Sequence, residues 1–120
     1  MGEIRDKIAA AKDIESEVVK IDEWDVEIEV RAMNVDDYSK LLSDASNDEG
    51  KVDTEKYTPA MVIACCYEVV DEGEDAVKIF TSNDMAMIRG KSSKPIQKLM
   101  KVINKLNGTG KDEETAIGKN

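Results

Sequence analysis

The residues able to do chemistry are few, and their spacing limits which chemistry is open to them. The 120 residues include no histidine. That removes the commonest general base and the commonest metal ligand together. No Ser-His or Cys-His nucleophile pair can be assembled within the chain. The two cysteines, Cys65 and Cys66, are adjacent. Neighbours on a helix point about 100° apart, whereas a zinc site needs thiolates that converge on one ion together with further ligands. The pair sits in the apolar run from Ala60 to Tyr67 and reads as two small buried hydrophobes.

Carboxylates are abundant. The stretch from Asp44 to Glu55 has the outline of an EF-hand loop, with Ser46 and Asp48 at the third and fifth positions. Gly50 then falls at the seventh position, whereas the sharp turn needs glycine at the sixth. An acidic loop is the better reading. Asp36-Asp37 and Asp71-Glu72 fall at an expected helix start and in a turn, where helix-dipole and turn preferences account for them. There is no P-loop, no GxGxxG and no HExxH. The expectation is a protein that is not an enzyme and that uses no cofactor and no metal.

Lys94, Lys98, Lys101 and Lys105 recur every three or four residues, so they share one helix face. Such a face is either simply solvated or a docking surface for an acidic partner segment. These four lysines are the candidate partner-binding residues. The charge around them is uneven. The chain totals −9, but residues 1–84 hold 23 acids and 9 bases, and residues 85–111 hold 7 bases and no acid. A net negative charge disfavours binding to nucleic acid.

The elements that place these residues can be read from periodicity. A short helix is expected over 3–11, with Ile4, Ile8 and Ala11 on one face. Val26, Ile28 and Val30 alternate with Glu27, Glu29 and Arg31, the pattern of a half-buried strand. Val18 to Ile21 can pair with it through a turn at Asp22–Asp25, giving a β-hairpin at about 17–31. A helix over 34–46 starts at an Asn34 cap, with Val35, Tyr38, Leu41, Leu42 and Ala45 as its apolar stripe. The next helix, 54–71, starts at Thr58-Pro59 or earlier at Thr54, with Tyr57 stapling onto Val62. It is apolar nearly all round from Ala60 to Val70, which suggests the most buried helix. A turn at Asp71–Asp75 and an extended Val77–Phe80 follow. A small helix over 82–90 is capped by Ser82 and carries Met85, Met87 and Ile88. The last helix, 94–107, carries Ile96, Leu99, Met100, Ile103 and Leu106 and stops at Asn107-Gly108.

The fold expected is α+β and mostly α, with an N-terminal β-hairpin packed on a small bundle of about four helices. Residues 1–110 are expected to form one domain and 111–120 a polar, flexible C-terminal tail. No apolar run is long enough to span a membrane, and the N-terminus lacks the apolar core of a secretory signal. A cytoplasmic location is expected.

This order of elements resembles the tail assembly chaperones of long-tailed bacteriophages. Three segments carry the resemblance. One is the hairpin from Val18 through Arg31 leading into Asp36-Asp37-Tyr38. The second is the apolar helix followed by Val70-Asp71-Glu72-Gly73-Glu74 and then Ile79-Phe80-Thr81-Ser82-Asn83-Asp84. The third is the terminal helix ending in Leu106-Asn107-Gly108. Together they cover residues 17–110.

The resemblance implies a non-enzymatic protein that binds tail tube subunits and the tape-measure protein in the infected cell. Such a protein prevents premature polymerisation and is absent from the finished tail. Self-association suits a protein that meets polymerising subunits. The resemblance also implies a longer product made by ribosomal frameshifting. Codons GGA-AAA-AAC over Gly118-Lys119-Asn120 would supply the slippery run, which sequencing the gene would reveal. The other reading of the charge is an acidic nucleic-acid mimic that inhibits a host DNA-binding protein.

Overall fold

The computed structural model describes residues 2–109. The tail at 111–120 and the slippery-run residues Gly118-Lys119-Asn120 lie outside them. The fold is a mixed α/β arrangement of a three-stranded antiparallel sheet and five helices. Helix α1 spans Glu3–Ala10, strand β1 Ser16–Ile21 and strand β2 Val26–Arg31. Helix α2 spans Val35–Asp44, α3 Thr54–Cys65, strand β3 Cys66–Tyr67, α4 Met85–Arg89 and α5 Ser93–Asn107.

The expected hairpin forms. Its register pairs Val19 with Ile28 and Ile21 with Val26. The turn is a 3-10 turn over Asp22–Trp24, closed by Asp25 in the left-handed region at φ 52°. Val19, Ile21, Ile28 and Val30 turn inward and are buried. Val26, expected on the same buried face, stands at the hairpin tip and is 42% exposed.

The third strand is a correction to the long helix expected over 54–71. That helix stops at Cys65, and Cys66 and Tyr67 pair with Val30 and Glu29 of β2. A short apolar run reads alike as buried helix or buried strand, and here the open edge of β2 decides. Lys78 bridges onward to Tyr67, so the extended Val77–Phe80 piece continues the sheet's pairing. The start of α3 follows the earlier option, Thr54. Asp53 is its cap and accepts a hydrogen bond from the Glu55 N–H at 3.0 Å. Pro59 and Tyr57 therefore lie inside the helix. The missing Pro59 N–H forfeits one bond to the preceding turn, and its ring is buried in exchange.

Asn34 caps α2 as expected, accepting from the Asp37 N–H at 2.8 Å. The stripe behind it is narrower than expected. Leu41 and Ala45 are buried, but Val35 is 83% exposed in the first turn. The expected start at Ser82 is a 3-10 turn over Ser82–Asp84 that runs into α4, and its cap is Thr81, one residue ahead of Ser82. Thr81 forms a reciprocal capping box with Asp84. Met87 is exposed, and Ile88 alone of α4 is buried.

Helix α5 closes the core against β1, β2 and α3. Pro95, Leu99 and Ile103 are its buried residues. Gly108 terminates it at φ 68°, a conformation that glycine adopts without a Cβ penalty. One apolar cluster joins the inward strand residues to Leu41, Met61, Val62, Cys65, Cys66, Ile88, Leu99 and Ile103. Each large aliphatic side chain buried this way contributes about 1.5–3 kcal/mol.

Candidate functional site

The four candidate lysines do share the outer face of α5, and all four are exposed. The face is not uniformly free. Lys105 Nζ lies 2.6 Å from Glu17 Oε1 on β1. Lys94 and Lys98 line a shallow recess with Asp22 and Glu23 of the hairpin turn. The cationic segment thus faces acids of its own hairpin, which accounts for part of its periodicity without any partner. Lys101 is exposed and forms no ion pair among the described residues.

Cys65 and Cys66 are both fully buried free thiols. Cys65 ends α3 and Cys66 begins β3, so they divide between two elements. Burial pushes the Cys65 thiol up to about 11 and Cys66 up to about 12. Thiolate, the reactive form, is therefore scarce near neutrality. Among the described residues no group of three or more acids or cysteines could hold a metal ion. In the Asp44–Glu55 stretch, Asn47 closes the loop by accepting from the N–H groups of Glu49 and Lys51. Ser46 and Val52 pair across it.

Sequence reasoning missed a groove of about 630 Å³ lined by α2, α3 and the β2–α2 connection. Ala60, Ile63 and Ala64 of α3 line it, together with Met33 and Leu41. Its existence explains why α3 is apolar all round. Met61, Val62 and Cys65 enter the core, while the opposite flank of Ala60, Ile63 and Ala64 is half-buried in the groove. The second apolar flank was the available signal, and the sequence reading attributed it to complete burial. Beside the groove, Arg31 is fixed by Glu29 at 2.6 Å and lies 5.0 Å over the Tyr67 ring.

No family model matches the sequence, and no curated protein matches it. The fold is similar to that of a solved structure, the bacteriophage HK97 tail assembly chaperone. The two share 16% sequence identity and superpose with a TM-score of 0.53. The match covers 88% of this chain and 98% of the other. At that identity the likeness establishes a common fold. No helix among the described residues is long and apolar enough to cross a membrane.

Proposed function

We propose that this protein is a phage tail assembly chaperone. In this reading it is a non-enzymatic binding protein of the host cytoplasm. It engages tail tube subunits and the tape-measure protein and holds them back from premature polymerisation. The observation that carries the reading is the fold match to the HK97 tail assembly chaperone over nearly the whole of both chains. The hairpin and the Leu106-Asn107-Gly108 helix end, two of the segments that carry the sequence resemblance, form in the structure. The nucleic-acid-mimic reading draws less support. Two hairpin acids that such a surface would present, Glu17 and Glu29, are held against Lys105 and Arg31.

The test is co-expression with the tail tube and tape-measure proteins, followed by co-purification at low and high salt. A chaperone whose grip is chiefly apolar loses much less of its affinity as salt rises. A mimic loses its target steeply, because that target is built to grip phosphates. Failure to recover either tail protein with the chain would count against the proposal.

A further inference from the structure

The charges around the α2–α3 groove are segregated against the trend of the molecule. Residues 1–84 carry 23 acids and 9 bases. The groove is lined by four of those bases, Arg31, Lys40, Lys56 and Lys78, and by only two of the acids, Asp37 and Asp44. Chance placement of the charges would give the opposite ratio. Lys40, Lys56 and Lys78 are exposed and form no ion pair among the described residues. The rest of the lining is largely apolar, and much of it is made of small side chains. Ala32, Ala45, Ala60 and Ala64 all line it. Small residues leave room for larger side chains brought by a partner, as in helix-in-groove recognition. The bases supply orientation and faster encounter.

We infer that the groove is a docking site for an acidic amphipathic helix of a partner protein. The partner's apolar stripe lies on Ala60, Ile63 and Ala64, and its flanking carboxylates meet Lys40, Lys56 and Lys78. The inference rests on the chaperone reading for the partner's identity, since the helix would belong to a tail protein. It relocates the contact from the α5 lysine face to the opposite use of charge, a cationic mouth on an acidic body.

Two triple variants of the full chain test this, each changing the charge by the same amount: K40E/K56E/K78E at the groove and K94E/K98E/K101E on α5. All six side chains are exposed, so both variants should fold. The first probe is a fluorescein-labelled helical peptide with leucines at i, i+3, i+4 and i+7 and glutamates on the flanks. Fluorescence anisotropy should show it binding the native chain. The Kd should rise at least tenfold in the groove variant and stay within about twofold in the α5 variant. A lysine-flanked version of the peptide should bind at least tenfold more weakly. Ala60→Leu, which adds bulk to the lining without changing charge, should also weaken binding.

Equal loss in both triple variants would overturn the inference. So would the absence of peptide binding, or binding of oleate in place of the peptide. A concentration-dependent dimer whose dissociation frees the groove would overturn it too, by assigning the groove to a second copy. The tail-protein complex separates this inference from the reading beneath it. If that complex forms and survives the groove variant, the groove assignment is wrong and the chaperone reading stands. If the peptide binds the groove but no tail protein does, the chaperone reading fails alone.

Discussion

Asn107 ties together three parts of the chain through one side chain. Its Oδ1 accepts the Met33 N–H at 2.8 Å, its Nδ2 donates to the Ile103 carbonyl at 2.8 Å, and Nδ2 also lies 3.8 Å from Cys65 Sγ. Asn107→Ala strands the part-buried Met33 N–H, which costs about 1–3 kcal/mol. A urea melt should show that loss, with the midpoint lowered and the slope unchanged. Sequence reading marked Asn107 as a stop signal from its neighbour Gly108, and that was correct. Its bond to Met33, 74 positions away, has no local trace.

The cysteines give a second prediction at this scale. Their thiols are raised by burial from 9.0 to about 11 and about 12. Above pH 9 the unfolded chain gives up these protons while the folded chain keeps them. Stability is therefore complete below pH 9 and falls as pH climbs through 9 toward the folded values, by about 1.4 kcal/mol per pH unit per cysteine. Chemical denaturation between pH 8 and about 10.5 should show the decline, and a Cys65→Ala/Cys66→Ala chain should show much less of it. Native protein at pH 7 should be nearly inert to thiol reagents, reacting only after unfolding. Rapid native-state labelling would mean that the thiols are accessible.

At the scale of elements, α1 stands apart. It has no buried residue, and Ile4 and Ile8 are 75% and 69% exposed. An isolated helix of this length is marginal in water. Removing residues 2–10 should therefore leave the melting temperature of the remaining chain unchanged within about 1 °C, whereas Leu99→Ala in α5 should cost about 2–5 kcal/mol. A large drop on removing α1 would mean that α1 packs on the body in solution.

Legibility followed the range of the deciding interaction. Helix α5 was readable because its stripe and its lysines repeat at helical spacing within 15 residues and Gly108 follows directly. The hairpin was readable from alternation. The end of α3 was not, because Cys66 leaves the helix to join β2, an element more than 30 residues earlier. The groove was hidden for the same reason. Its lining runs from Ile14 to Met85, and no local window contains it.

Across the whole molecule, charge has two uses. The cationic helix α5 leans partly on the hairpin's acids, through Lys105 and Glu17 and through the recess where Lys94 and Lys98 lie beside Asp22 and Glu23. Exposed pairs of this kind contribute little stability, about 0–1 kcal/mol, so they orient more than they hold. Lys40, Lys56 and Lys78 at the groove form no ion pair among the described residues, and in the reading proposed above they are where the partner is met.

The most direct measurement of the central claim is the sedimentation of purified tail tube protein under polymerising conditions, alone and with an equimolar amount of this chain. The account predicts that the chain keeps the tube protein in the supernatant as a defined complex, and that the K40E/K56E/K78E variant does so poorly. Tube polymer that pellets equally in the presence and absence of the chain, with no complex in the supernatant, would contradict it.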